Sequence, residues 1–355
     1  MTTAPPRLDH GVIGNGRVLA LVAPDTHIEW LCLPRFDSPS VFARILDQGH
    51  GGTFGFDAGQ NARFEMVYVS NTNVLRTRVR TGEGTLDIFD YAPRVPTGLG
   101  MDAPLEVHRV LLPVEGRPRV RVRFDPRPNY ARVIPSLVEA PGGLDVHGGP
   151  TPLFLRSDVA APYLSSGAEI RLDQPRYLAF SAGAPSQLRD AADAQLTLQH
   201  TIDGWRAWAK TCAIPSFAGT AVLRSALCLK LHAFIETGAI IAATTTSLPE
   251  ALGTPRTWDY RYCWLRDAAF VVEALRRLSH LTEGEAFVGF LRDVAERGPL
   301  QPLYGIGGER DLAERELDHL AGFAGHGPVR IGNAAYMQQQ HDLRSEEHTS
   351  ELQSR

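Results

Sequence analysis

At 355 residues the chain is long enough for about two domains, each with a sizeable core. Hydrophobic residues make up 43% and charged residues 21% of the sequence, which is typical of a globular protein. The net charge of −4 gives no reason to expect nucleic acid or an anionic membrane as a partner, and no stretch is apolar enough to span a bilayer. Residues 1–7 contain no apolar signal segment, so we expect a cytoplasmic protein.

Two segments of the first half predict a hairpin. Residues 74–80 and 85–91 have strand-like composition, and the segment between them, Thr-Gly-Glu-Gly at 81–84, is a turn signal. Proline and glycine punctuate the surrounding sequence densely, as the turns of a sandwich do. We therefore predict antiparallel strands in this part of the chain.

Residues 119–124 alternate with period two. The alternation puts Val120, Val122 and Phe124 on one buried face and a row of arginines on the other. The arginine row could form a basic patch, but with 40 acidic against 36 basic residues overall a solvated strand face is favoured. Together these patterns predict a β-sandwich domain over residues 1–184.

Helix-forming residues replace the strand pattern after Ser186. Residues 187–208 contain no helix breaker before Gly204. We predict a helix here, within a linker over residues 185–214 that joins two domains.

Apolar runs of helical length follow the linker. They predict helices at 221–234, 268–278 and 284–296, and a fourth that begins at 333–341. The first has apolar residues on several faces and should be buried on more than one side. Helices alternating with long loops are typical of an (α/α) barrel, so residues 215–343 are predicted to form an incomplete all-α (α/α)6 barrel.

The four cysteines are Cys32, Cys212, Cys228 and Cys263, and none forms a C-x-x-C pair. A zinc site is therefore not expected. Scattered cysteines of this kind are typical of reduced thiols in a cytosolic protein.

The densest segment of the chain is 257–270, Thr-Trp-Asp-Tyr-Arg-Tyr-Cys-Trp-Leu-Arg-Asp-Ala-Ala-Phe. Its two Trp and two Tyr offer flat faces on which the C–H patches of a sugar can stack, and its two Arg and two Asp can bond vicinal hydroxyls. An aromatic core segment with an internal ion pair would have the same composition. The segment alone favours neither reading.

The context favours a sugar site, because the segment is one of four blocks that resemble, in this order, the bacterial glucoamylase and trehalase-like proteins of glycoside hydrolase family 15. The blocks are residues 242–250, 257–270, 304–310 and 328–335. Residues 13–17 and 30–37 resemble the N-terminal β-domain that precedes the barrel in that group.

The resemblance implies a set of substrate-binding residues and neither a metal nor an organic cofactor. Arg266 and Asp267 would clamp hydroxyls of the terminal glucose, although an acidic residue in the first turn of a helix is also favoured by the helix dipole. The full set implied is Trp258, Tyr260, Arg261, Trp264, Arg266, Asp267, Glu309, Arg330 and Asn333.

The resemblance also implies an inverting hydrolase acting on an α-linked glucose oligosaccharide or disaccharide. Such a reaction needs two carboxylates, and Glu309 and Glu316 could be considered for the pair. The resemblance argues against them, because both family glutamates lie well C-terminal of the 328–335 block. No catalytic residue is therefore predicted in this chain, and trehalose, maltodextrin and isomalto-linked substrates all stay open, as does the oligomeric state. A non-catalytic carbohydrate-binding protein is the alternative, and a sugar epimerase or phosphorylase on a similar barrel is a more remote one.

The C-terminal segment 344–354, Arg-Ser-Glu-Glu-His-Thr-Ser-Glu-Leu-Gln-Ser, does not continue the family pattern. It matches the translation of a common sequencing-library adapter, whereas a natural polar tail would have a similar composition. We expect residues 344–355 to be an artefactual or disordered tail and the authentic sequence to continue past about Leu343.

Overall fold

The computed structural model describes residues 8–98 and 100–340. The chain divides into two compact units, Met1–Lys210 and Thr211–Arg355, called unit 1 and unit 2 below.

Unit 1 is built mainly from antiparallel strands. Its strands are β1 (Gly11–Gly14), β2 (Leu19–Val22), β3 (Ile28–Cys32), β4 (Ser40–Phe42), β5 (Thr53–Asp57), β6 (Arg63–Tyr68), β7 (Leu75–Thr81), β8 (Gly84–Tyr91), β9 (Val95–Thr97), β10 (Gly100–Asp102), β11 (Glu106–Gly116), β12 (Arg119–Asp125), β13 (Ser136–Ala140), β14 (Gly143–His147), β15 (Leu153–Ser157), β16 (Glu169–Arg171) and β17 (Arg176–Ala182). Its helices are α1 (Ala161–Ser166) and α2 (Ala191–Lys210).

The strands form two large sheets. The first has the order β1-β2-β3-β5-β12-β16, with β4 paired to β3, and the second has the order β13-β14-β15-β17-β11-β8-β7-β6. The predicted hairpin is confirmed as β7 and β8, whose register ends with Thr81 opposite Gly84. Strand β12 is confirmed with its predicted faces, since Val120, Val122 and Phe124 are buried and the three arginines that alternate with them are exposed.

One apolar core is shared by both sheets. At its centre the ring of Phe124 from the first sheet lies 5.5 Å from the ring of Phe180 from the second, and Phe54 packs against both. Two antiparallel sheets that enclose such a core are consistent with the predicted β-sandwich.

Helix α2 is the predicted linker helix, but it packs within unit 1 and is not a free connection. The hydroxyl of Tyr91 donates to the carbonyl of Ala194 at 2.9 Å, and the backbone N–H of Arg94 donates to the Thr201 hydroxyl at 3.2 Å. Gly204 does not break the helix. A Cβ there would lie 2.9 Å from the Arg94 carbonyl oxygen, so a glycine allows the close approach.

Unit 2 contains three helices in its described part, together with short strands and a 3-10 turn. The helices are α3 (Gly219–Leu231), α4 (Leu265–Arg277) and α5 (Thr282–Glu296). The strands are β18 (Thr246–Pro249), β19 (Thr257–Asp259), β20 (Cys263–Trp264), β21 (Leu303–Tyr304), β22 (Arg315–Glu316) and β23 (Arg330–Ile331), and the 3-10 turn is Ala334–Met337.

The three predicted helices are confirmed, with ends that differ by a few residues. Two expectations are wrong. Helix α3 fully buries only Ala226, Leu227 and Leu231, so it is not enclosed on several sides. The fourth helix is replaced by the 3-10 turn, because the carbonyl of Tyr336 accepts from the Gln301 side-chain amide at 3.1 Å instead of continuing a helical ladder. Helix α4 packs against both α3 and α5, and the barrel itself stays a prediction.

No helix among the described residues has the length and apolar character needed to cross a membrane. The interpretation of residues 344–355 lies outside the described residues.

A nearly buried ion pair joins α3 to α5 and provides a first prediction. The Lys230 ammonium lies 2.6 Å from the Glu283 carboxylate, and the two side chains are 11% and 4% exposed. Burial opposes ionisation of Glu283, but the ammonium of Lys230 outweighs it, so the pKa of this carboxyl is held below its usual value. A lowered folded-state pKa means that the pair stabilises fully above the unfolded value of about 4.3 and less as the pH falls through the folded one.

We expect Glu283→Gln to lower the free energy of unfolding at pH 7 by about 2 kcal/mol, between the values for exposed and fully buried pairs. The difference from the parent should shrink as the pH falls below the unfolded value of about 4.3 and through the lowered folded-state pKa, where the parent carboxylate becomes protonated. Urea unfolding over a series from pH 7 down to about pH 2 measures both effects. Glu285→Gln is the matched control, because Glu285 is exposed in the same helix turn. A pH-independent difference would contradict the assignment to this ion pair.

Candidate functional site

Short β-ladders in unit 2 bring together segments that are distant in sequence. Strand β18 pairs with β19 through Thr246 and Asp259, and β22 pairs with β23 through Glu316 and Arg330. Strand β23 also contacts β18 and β19. The hydroxyls of Thr246 and Ser247 donate to the Arg330 carbonyl, which fixes the 328–335 block beside the 242–250 block.

A cleft of about 440 Å³ opens beside these ladders and is called the aromatic cleft. This volume lies within the range of small-molecule sites. Its lining residues are Trp258, Tyr260, Trp264, Glu314, Asn333, Ala334, Ala335, Gln338 and Gln340. Four of the nine predicted site residues therefore line one cleft: Trp258, Tyr260, Trp264 and Asn333.

The aromatic side of the cleft is held in a fixed arrangement. The rings of Tyr260 and Trp264 have centroids 6.1 Å apart and planes tilted by 53°. The Tyr260 hydroxyl donates to Glu250 at 2.8 Å, and burial together with this carboxylate raises the pKa of Tyr260 to about 12. Tyr260 is therefore a neutral phenol at physiological pH, with its orientation set by Glu250.

Arg330 does not line the cleft but supports it from behind. Its guanidinium lies 4.7 Å from the ring centroid of Trp258 and donates to the Pro255 carbonyl at 2.7 Å. Two carboxylates, Glu314 and Glu316, lie 3.3 and 3.1 Å from its nitrogens. Since the side chain is only 12% exposed, these contacts make Arg330 a support for the Trp258 ring.

Arg266 and Asp267 lie side by side at the border of the cleft. Their charged groups are 3.1 Å apart and 37% and 42% exposed. The Arg266 guanidinium is 5.5 Å from the Trp264 ring centroid and donates to the side-chain amide oxygen of Gln340 at 3.5 Å. Arg266 therefore touches two lining residues, while Asp267 occupies the first turn of α4.

Arg261 was predicted to contact the ligand, but the structure encloses it completely. Its side chain and that of Asp259 are both 0% exposed, and two guanidinium nitrogens donate to the Asp259 carboxylate at 2.9 and 2.6 Å. Asp259 also accepts from the Gly332 N–H, and its carbonyl accepts from the Asn333 amide at 3.1 Å. The pair therefore holds the strand carrying Trp258 to the turn carrying Asn333.

Glu309 also lies away from the aromatic cleft. Its carboxylate accepts from the Gly307 N–H at 2.9 Å and closes the turn of the 304–310 block. A Cβ at Gly305 would meet the same carboxylate, which would then have to move. Within the described structure Glu309 stabilises a loop, and the prediction that it lines the pocket is not supported by its position.

Asn333 combines two roles. Its side-chain oxygen accepts from the Ala335 N–H at 3.0 Å and so caps the 3-10 turn, while its amide donates to Asp259. Because it is 5% exposed and still lines the cleft, its position is set by the protein and not by solvent.

Sequence reasoning missed Glu314, Gln338 and Gln340. Glu314 belongs to a charge-rich run at 309–319, and such runs usually form a solvated face, yet it lines the cleft beside Arg330. The two-residue ladder of β22 and β23 places it there, and strands of two residues leave no period in a sequence.

The comparisons with known proteins agree with this geometry. Residues 2–167 match the family described as trehalase-like, N-terminal, and residues 216–350 match glycosyl hydrolases family 15. The chain thus carries both segments of a trehalase-like family 15 protein, and the resemblance predicted from the sequence is confirmed.

Its curated relatives include proteins named trehalase. That of Mycolicibacterium smegmatis is 34% identical over an alignment of 377 positions, which covers 96% of this chain and 55% of the relative. That of Thermoplasma volcanium is 34% identical over 351 residues, with 94% and 54% covered. Trehalase 2 of Sulfolobus acidocaldarius is 30% identical over 351 residues, with 95% and 58% covered. The chain thus spans a little over half the length of the curated relatives it matches.

Proposed function

We propose that this chain is part of an inverting glycoside hydrolase that cleaves an α-linked glucose disaccharide, of the trehalase type. The observation that carries the proposal is the joining of Trp258, Tyr260, Trp264 and Asn333 around one cleft inside the family 15 segment. The names of the curated relatives support trehalose ahead of maltodextrin or isomalto-linked sugars.

Each part of the cleft has a role in the proposal. The indole and phenol rings stack against the C–H faces of glucose, and the amides of Asn333, Gln338 and Gln340 bond its hydroxyls. Arg266, with Asp267, clamps vicinal hydroxyls at the border. Arg330 and the Asp259–Arg261 pair act indirectly, by fixing the residues that touch the sugar.

The chemical step in this proposal uses two glutamates. A protonated one donates to the glycosidic oxygen while an ionised one activates a water molecule on the opposite face of the ring. We propose that both lie C-terminal of the 328–335 block, in the full-length protein, so that the present chain binds sugar without hydrolysing it. Helices α3, α4 and α5 would then be early helices of an (α/α)6 barrel. A cytoplasmic location belongs to the same proposal, because the four cysteines form no disulfide within the part of the chain that the structure describes.

Sugar binding by the 355-residue chain tests the site. We expect Trp258→Ala and Trp264→Ala each to weaken binding of trehalose by about tenfold or more, since a removed stacking ring is an anchor of the kind that dominates binding. Isothermal titration with trehalose and maltotriose measures the change. Trp208→Ala in α2 is the matched control, because Trp208 is a partly exposed Trp of unit 1 that does not line the aromatic cleft. Equal affinity in all three variants would refute the assignment of the aromatic cleft.

A further inference from the structure

A second cleft of about 440 Å³ lies in unit 1, between the segment that contains α1 and strand β16. We call it the sandwich cleft, and its polar and aromatic lining consists of Asp158, Tyr163, Glu169, Arg171 and Arg176. Strand β16 is the last strand of its sheet, so the backbone N–H and C=O groups on its outer side have no partner strand, and its residues Glu169, Ile170 and Arg171 line the cleft.

An exposed aromatic ring and a cation form one part of the sandwich cleft. Tyr163 is 46% exposed, and its hydroxyl has no hydrogen bond within residues 8–98 and 100–340. Arg171 is exposed and, over the same ranges, has no ion pair. Most arginines nearby are paired, as Arg119 is with Glu83 and Glu169. A ring and a guanidinium that are both available to a ligand are the groups that stack on and bond a sugar.

A preorganised carboxylate forms the other part. One oxygen of Asp158 accepts from the Tyr177 N–H at 3.0 Å, and the other lies 3.6 Å from Arg176. Both side chains are 23% exposed, so they reach solvent at the cleft while their backbone and charge contacts hold them in place. The Nε atom of Arg176 is buried without a hydrogen-bond partner among the described residues. The pair is therefore fixed before any ligand arrives.

The charge of the sandwich cleft selects the ligand class. The lining carries two carboxylates, Asp158 and Glu169, and two guanidiniums, Arg171 and Arg176, and Glu169 is also paired with Arg119 at 2.9 Å. An anion would gain from the arginines but would be repelled by the carboxylates, whereas a neutral polyol can bond both kinds of group. We infer that the sandwich cleft is a second carbohydrate site, separate from the aromatic cleft, that binds an α-linked glucose oligosaccharide. The identity of the sugar, though not the presence of the cleft, rests on the proposed function.

Counting sites on the 355-residue chain tests the inference. Equilibrium dialysis with labelled maltotriose and with labelled trehalose should give two sites per chain for at least one of the sugars. Tyr163→Ala and Arg171→Met should each weaken one of them by about tenfold or more and leave the other unchanged. Because both side chains are exposed, thermal unfolding should change little in either variant. Arg63→Met on β6 is the matched control, since Arg63 is exposed in unit 1 outside the cleft.

The same measurement on Trp258→Ala/Trp264→Ala separates this inference from the proposed function. A site that survives in that double variant and is lost with Tyr163→Ala supports the sandwich cleft, whatever happens to the aromatic cleft. A single site that is lost in the double variant and insensitive to Tyr163→Ala and Arg171→Met overturns the inference and leaves the proposed function standing. Absence of any sugar binding overturns both.

Discussion

Asp259→Asn is expected to lower the free energy of unfolding of unit 2 by about 3–5 kcal/mol, because it removes one partner of an ion pair that is 0% exposed on both sides. The guanidinium of Arg261 would stay enclosed but lose the carboxylate of Asp259, so the desolvation of its charge would be offset less. Denaturant unfolding followed by tryptophan fluorescence measures the loss. Asp293→Asn on α5 should change stability little, since that pair is 54–71% exposed.

The same substitution should also weaken sugar binding. The Asp259 carboxylate accepts from the Gly332 N–H, and Gly332 precedes the Asn333 that lines the aromatic cleft. A double variant, Asp259→Leu/Arg261→Met, should recover part of the stability, because an apolar pair avoids the buried unpaired charge. It should not recover binding, because a leucine at position 259 has no acceptor for the Gly332 N–H. If Asp259→Asn changes the free energy of unfolding as little as Asp293→Asn does, the Asp259–Arg261 pair is not buried as the structure shows.

The sequence predicted those strands and helices whose buried residues follow a regular spacing along the element itself. Strand β12 follows its alternation along its length, and helices α4 and α5 follow apolar runs within a few residues. The fourth helix was predicted wrongly for a reason that no local pattern contains. Its Tyr336 carbonyl is taken by Gln301, a residue 35 positions away in the chain.

The sequence predicted those site residues whose role follows from the type of side chain alone. Aromatic rings identified Trp258, Tyr260 and Trp264, but the arginines of the same segment could not be separated by type. Their burial follows an alternation in which Trp258 and Tyr260 are partly exposed while Asp259 and Arg261 are buried. Applied to the segment, that period would have assigned Arg261 to the support and not to the ligand.

Neither the residue type of Glu314 nor the spacing of apolar residues around it predicted that it lines the aromatic cleft. A charge run normally marks a solvated face, and most of the 309–319 segment is exposed or partly exposed. Glu314 lines the aromatic cleft because β22 pairs with β23 and Arg330 holds its carboxylate. Pairing of this kind is tertiary information, and only the structure supplies it.

The 355-residue chain is expected to bind trehalose or maltooligosaccharides weakly and to hydrolyse neither. Under the proposed function the proton donor and the water-activating base are glutamates C-terminal of the 328–335 block, and general acid–base catalysis contributes about 10²–10⁴-fold for each group. Compared with a longer protein that contains both glutamates, the 355-residue chain should therefore turn over substrate at least about 10⁴-fold more slowly. Glucose release from trehalose and from maltooligosaccharides, at equal protein concentration, measures this ratio.

The longer protein that contains both glutamates is also the control for the proposed location of the catalytic pair. If it hydrolyses neither sugar but binds one of them, the carbohydrate-binding alternative is favoured over the hydrolase. If the 355-residue chain matches it in turnover, the catalytic pair lies within the present residues. Glu314, which lines the aromatic cleft, and then Glu316 and Glu309 would be the carboxylates to replace by glutamine. Among these, only Glu314 is already placed against the rings that would hold the sugar, so loss of turnover in Glu314→Gln alone would move the chemistry into the aromatic cleft.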